Sequence, residues 1–268
     1  MKHTPSQHNE MKRNITGLFI FLLAVGTFVL GTAASDSWAE DDYEIPFAEA
    51  SIYFELNDTD GDLGIHALID GEPWKKLEIE DPRERRMLNI LVQGRLRRQG
   101  LTEIFFESAE PSFDELSPRR FFRRFPEGEY EIEGTTLDGE EMESTVWLSH
   151  VMPAPPENIT LSDVPAAEDC DADDLPVVDA PVIINWDPVT ESHPEIGKEG
   201  PVEVLKYQVV VEQEDLGVVL SVDLPPTETE FEIPEGFTAL GEEFKFEILV
   251  REANGNQTAV ESCFVVAE

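Results

Sequence analysis

The chain has 268 residues, 19 Lys+Arg against 57 Asp+Glu, and a formal net charge of −38 at pH 7. That charge argues against binding nucleic acid, which needs a cationic face to displace counterions, and against docking on anionic lipid. Hydrophobic residues make up 41%, enough to build cores, and two cysteines rule out a disulfide-dense mini-fold and a four-cysteine zinc site.

Lys2, Lys12 and Arg13 precede an apolar stretch over residues 17–34, and an acidic run of Glu40, Asp41 and Asp42 follows. Basic, then apolar, then small is the layout of a secretory signal peptide. Residues 1–34 are expected to be removed, with a second plausible cleavage site after Ala39. An uncleaved anchor is the alternative, and Met11 is an alternative start. No cysteine follows either cleavage site, so lipid attachment there is excluded.

The prolines of Met152-Pro153-Ala154-Pro155-Pro156 favour a stiff extended path and mark a boundary between residues 35–152 and 153–268. Each part is long enough for one β-sandwich, and the expected class is all-β: two tandem antiparallel sandwiches with one short helix in the first.

In the first part, Ile52, Phe54 and Leu56 share one strand face, as do Leu63, Ile65, Ala67 and Ile69. Asp70-Gly71 reads as a hairpin turn into a strand over 74–79. Leu88, Ile90 and Val92 continue the alternation, then Ile104 and Phe106. Tyr130 and Ile132 lead to a turn at Asp138-Gly139, and Met142, Val146 and Leu148 return. One helix interrupts: Ser117 as its cap, Pro118 in its first turn, Pro126-Glu127-Gly128 as its stop. Helical spacing puts Arg119, Arg120, Arg123 and Arg124 on one side and Phe121, Phe122 and Phe125 on the other. The arginine side reads either as a docking patch for an acidic partner or as internal neutralisation.

In the second part, Val182, Ile184 and Trp186 alternate on one face, as do Tyr207, Val209 and Val211, and Phe244, Phe246, Ile248 and Val250. The opening Pro155–Leu161 stretch, Trp186 followed by Asp187-Pro188, the Tyr207-Gln208-Val209-Val210-Val211 run, the Thr229–Ile233 stretch and the long run from Phe244 to Asn254 resemble, in order and spacing, a fibronectin type III domain. A Gly255-Asn256-Gln257-Thr258 turn and a last strand over 260–266 complete the likeness. The pattern departs where Phe244 replaces the usual corner tyrosine, and the acidic segment 166–180 is longer than the family's first turn. The resemblance implies an interaction or spacer module without catalysis.

Cys170 lies in that acidic segment and Cys263 on the outward face of the last strand, so an exported chain is expected to join them in a disulfide, with two buried or reactive free thiols as the alternative. Asn57-Asp58-Thr59-Asp60-Gly61-Asp62-Leu63-Gly64 has the alternating oxygens and the glycine that calcium needs, with Asp58, Asp60 and Asp62 as candidate ligands. The order does not fit an EF-hand, and a polar hairpin is the other reading of these residues. The acidic cluster Glu168, Asp169, Asp171, Asp173 and Asp174 is a weaker calcium candidate. No other cofactor is expected. Nucleophile elbows, His-Glu-x-x-His and phosphate-binding glycine loops are absent; of the remaining His66, His150 and His193, the first two could be neighbours on a sheet, but single histidines on strands read as ordinary surface residues. Trp74 and Trp147 read as core or as sugar-stacking platforms.

The functional expectation is an exported, non-enzymatic interaction or spacer protein that engages a protein or glycan partner in the envelope. The alternatives are an accessory protein of a carbohydrate-active or hydrolytic system, with its substrate site in the first domain, and a calcium-stabilised envelope component.

Overall fold

The computed structural model describes residues 44–172 and 174–267; the leader and its cleavage sites lie outside the described residues. No described helix is long and apolar enough to cross a membrane.

The first lobe contains β1 (Glu49–Asn57), β2 (Asp62–Glu80), β3 (Arg86–Leu91), α1 (Leu96–Gln99), β4 (Leu101–Glu107), α2 (Pro118–Arg124), β5 (Gly128–Thr136) and β6 (Glu141–Leu148). The second contains the short strands β7 (Thr160–Leu161), β8 (Val164–Pro165), β9 (Val177–Val178) and β10 (Ile183–Asn185), then β11 (Val204–Gln213) and β12 (Val218–Leu224). It ends with β13 (Glu230–Glu232), α3 (Glu235–Thr238), β14 (Glu243–Glu252) and β15 (Gln257–Val266). The class is all-β, with sandwich-like layers.

β2 organises the first lobe. Its first part pairs with β1 and β4, and its second part, from Trp74, with β3 and β5. The expected hairpin at Asp70-Gly71 is therefore corrected: the chain bends there and continues as one strand of 19 residues. Pro73 has no N–H for the ladder, and the register slips between Asp70 and Trp74 and again before Lys76. Gly71 leaves room at the bend for the Met142 methyl, which a Cβ there would meet at 2.7 Å. The bend wraps the sheet around a core of Ile52, Phe54, Leu56, Ile65, Ile69, Trp74, Leu77, Tyr130 and Ile132.

α2 closes the open side of that core. Phe121 and Phe122 are buried, with ring centroids 5.8 and 5.2 Å from Phe54 and edge-on to it. Ser117 stands at the N-cap but its side chain makes no capping bond; Pro118 starts the helix as expected.

In the second lobe, β7, β10 and β13 form one layer, extended by β8, and β11, β12, β14 and β15 form the other. Leu161, Ile184, Trp186, Tyr207, Val209, Val211, Phe244, Phe246, Ile248 and Phe264 fill the space between. Burying each large side chain contributes about 1.5–3 kcal/mol. The Tyr207 hydroxyl accepts from the Val189 amide at 2.8 Å, and Phe244 stacks on Phe264.

The lobes have separate cores but share one sheet of 11 strands, in which β1 lies parallel to β15, with Glu55, Leu56 and Asn57 opposite Gln257, Thr258 and Ala259. The expected turn at 255–258 is thus half strand: Gln257 and Thr258 begin β15, and the polar side chains there face the other lobe rather than water. Asn256 is 0% exposed. Its Oδ1 accepts from the Phe54 amide at 2.9 Å, and its Nδ2 donates to Ser149 O at 3.0 Å and Val151 O at 2.8 Å. The Thr258 hydroxyl donates to Pro153 O at 2.7 Å. The proline-rich segment is accordingly sewn down, with Met152, Pro153 and Pro156 buried.

Candidate functional site

The four α2 arginines are exposed, and among the described residues none of them is in an ion pair. Arg124 also lines a shallow depression with Asp81, Arg85, Arg86, Met87, Phe125 and Tyr130. The neighbouring guanidiniums of the β2–β3 turn are engaged: Arg85 grips Asp81 at 2.5 Å, and Arg86 pairs with Glu78. Burial raises the Asp81 carboxyl, but hydrogen bonds from the Arg85 side chain and the Arg83 and Arg85 amides bring it below the usual carboxylate range. Among the described residues, α2 thus presents four exposed guanidiniums without an ion pair on an acidic protein.

Cys170 and Cys263 form a disulfide, with an S–S distance of 2.07 Å. It holds the acidic segment across β15. The Ser262 hydroxyl donates to Ala167 O at 2.9 Å, and β9 pairs with the end of β15.

The candidate calcium ligands turn to different partners. Asp58 accepts from His193 Nε2 of the second lobe at 2.8 Å, and Asp60 accepts from Asn57 Nδ2 at 3.2 Å. Asp62 Oδ1 is sealed from solvent with no hydrogen-bond partner. Burial first, then the charges of Glu110, Asp60, Glu261 and Glu55, raise the Asp62 carboxyl to about 6.

Among the described residues, the side chains that gather at ligand spacing are Glu55, His66 and Glu110, with one ligand atom from each within 4.8 Å of the others. Period-two alternation places Asp62, Gly64 and His66 on the outer face of β2, opposite Asn57, Glu55 and Tyr53 of β1. The segment 108–113 then crosses this face. It is tied at one end by Ser108, whose amide donates to Ile65 O at 3.0 Å and whose hydroxyl accepts from the Ile65 amide at 3.0 Å. At the other end the Phe113 amide donates to Gly61 O at 2.8 Å. The strap lowers Glu110 over Gly64, where an added Cβ would meet its carboxylate oxygen.

His66 is 3% exposed, which corrects its reading as a surface residue. Its Nε2 lies 3.1 Å from Glu110 Oε1 and its Nδ1 3.7 Å from Glu55 Oε2. The Tyr53 and Phe105 rings flank it at 5.4 and 5.9 Å. Burial raises the Glu55 carboxyl against the opposing charge of His66 and a hydrogen bond from Gln257 of β15. His193 is likewise buried against Asp58, and His150 is half-buried, its Nε2 2.8 Å from Phe125 O and its ring against Phe122. His66 and His150 were misread for one reason: the segments that carry them are covered by the strap or by α2. Gly64 within an alternating run was the available signal for a close approach. Glu55 and Glu110 carried no signal among so many carboxylates.

Trp74 is buried in the core, its indole N–H donating to Thr102 O at 3.4 Å, so it lines no groove. Trp147 is 64% exposed on β6.

No family model matches the chain, and no curated protein matches it. Solved structures that resemble it include a segment of two fibronectin type III domains from chicken tenascin, at 12% identity and TM-score 0.29, covering 82% of this chain and 98% of that one. Three fibronectin domains of chicken CNTN1 resemble it at 10% identity and TM-score 0.33, covering 84% and 68%. A bacterial ice-binding adhesin does so at 10% identity and TM-score 0.24, covering 84% and 66%. Superpositions this loose carry no argument about family, ligand or partner.

Proposed function

We infer that the protein is an exported, non-catalytic interaction body whose first lobe presents the α2 arginines to an acidic protein or glycan partner in the cell envelope. The observation that carries this reading is the exposed row of Arg119, Arg120, Arg123 and Arg124 on a helix whose opposite side is anchored by Phe121 and Phe122. An internal neutralising role calls for ion pairs, and these side chains have none among the described residues. Export is supported by the leader pattern and by the Cys170–Cys263 disulfide, which persists in oxidising compartments. In this reading a boundary near residue 152 lies between two cores, with Ile196 of the second part packed into the first.

The test is capture from the protein's own envelope fraction by the immobilised mature chain. The wild type retains a defined acidic species at about 50 mM salt and releases it at about 500 mM, where screening is strong. The quadruple variant Arg119→Glu/Arg120→Glu/Arg123→Glu/Arg124→Glu, checked for wild-type circular dichroism, does not retain it. Equal capture by the variant refutes the reading.

A further inference from the structure

The cluster beneath the strap 108–113 goes beyond that docking role. We propose that Glu55, His66 and Glu110 bind a first-row divalent cation, zinc or manganese, which locks the strap onto the face where the two lobes join. The argument begins with charge. Glu55 and Glu110 face the two nitrogens of a single buried imidazole, and Asp62, bridged to Ser112 of the strap, has a sealed and unpartnered oxygen. A protonated His66 leaves this group with a net negative charge. A divalent cation on a neutral imidazole removes more of it and gives the crowded oxygens a common partner.

Geometry agrees. Ligand bonds of about 2.0–2.2 Å in a tetrahedral array put ligand atoms roughly 3.3–3.5 Å apart. His66 Nε2 and Glu110 Oε1 are 3.1 Å apart, while Glu55 Oε2 faces the other ring nitrogen, Nδ1, at 3.7 Å, so a cation held by Nε2 and Glu110 is completed by a turn of the Glu55 side chain toward it. The donors come from three elements, β1, β2 and the strap, and Gly64 leaves the space that Glu110 occupies. One imidazole with carboxylates suits zinc or manganese, whereas calcium takes oxygen donors alone. Gln257 of β15 donates to Glu55 Oε2, the oxygen that also faces His66, so the site reports to the second lobe.

The test uses the full mature chain, stripped with a chelator and titrated with zinc, manganese or calcium at about 150 mM salt with excess magnesium, which saturates weak acidic sites. One zinc or manganese is retained per chain after desalting. At a hundredfold excess over Kd the cation raises Tm by roughly 5–10 °C. His66→Gln and Glu110→Gln each lose the retained ion, while Asp169→Asn/Asp171→Asn on the acidic segment keeps it. Gly64→Ala changes no donor residue but displaces Glu110, and weakens binding at least tenfold. Wild-type protein that retains no zinc or manganese overturns the proposal without recourse to any variant. So does retention that His66→Gln leaves unchanged, or a site that selects calcium. Partner capture by the arginine surface is scored separately, so either result stands without the other.

Discussion

Replacing Asn256 by alanine removes the side chain that joins the lobes at their buried seam. The truncation deletes three hydrogen bonds, to the Phe54 amide, Ser149 O and Val151 O. Val151 O keeps a bond from Asn254 Nδ2 at 3.0 Å, so two buried groups are left without a partner. Stranding one such group costs about 1–3 kcal/mol, which gives roughly 2–6 kcal/mol, and water entering the vacated space lowers this to about 3 kcal/mol. For a protein of this size, that corresponds to a fall in Tm of about 6–12 °C. Asn256→Asp is worse at neutral pH. It keeps the acceptor for Phe54, loses both donors, and sets a carboxylate against two carbonyl oxygens. Urea unfolding followed by circular dichroism measures both, with Ser221→Ala, at an exposed hydrogen bond from Gln208, as a control within about 0.5 kcal/mol of wild type. A loss below about 1 kcal/mol for Asn256→Ala refutes the account of the seam.

Asp62 supplies a pH prediction in chelator-treated protein. Its folded pKa, about 6, lies above the ordinary value, so the folded state holds the proton more tightly than the unfolded chain. Stability contributed by the protonated form is therefore present at low pH and lost as pH rises through about 6. The ceiling is about 3 kcal/mol, and solvent screening reduces it to roughly 1 kcal/mol. Asp62→Asn accordingly stabilises the metal-free protein at about pH 8 and changes little near pH 4; destabilisation at the higher pH contradicts this. The disulfide closes a sequence separation of 93, and Cys170→Ser/Cys263→Ser is expected to cost about 2–4 kcal/mol in thermal or urea melts. Reaction of either cysteine with a thiol reagent in non-reduced, folded protein counts against the bridge.

Much of the fold was legible because inner faces announce themselves. Ile52, Phe54 and Leu56 in one lobe, and Tyr207, Val209 and Val211 in the other, are buried as their alternation requires. The disulfide followed from the outward position of Cys263. Patterning failed where an outer face is covered as well. The polar run at 255–258 has turn chemistry, yet its side chains are consumed by carbonyls of the proline segment and by the Phe54 amide. Asp70-Gly71 has hairpin chemistry, but Gly71 and Pro73 bend a strand whose two halves find different partners. The cluster at Glu55, His66 and Glu110 depends on a strap far along the chain, and such long-range closure leaves only a local trace, here Gly64.

The claim on which the account rests is that the β1–β15 seam makes one cooperative body of two cores. Differential scanning calorimetry of the mature chain tests it directly. A single transition, with calorimetric and van't Hoff enthalpies equal, is the expected result. Two separable transitions, one following Trp74 in the first core and the other Trp186 in the second, would show the lobes to be independent modules and contradict it.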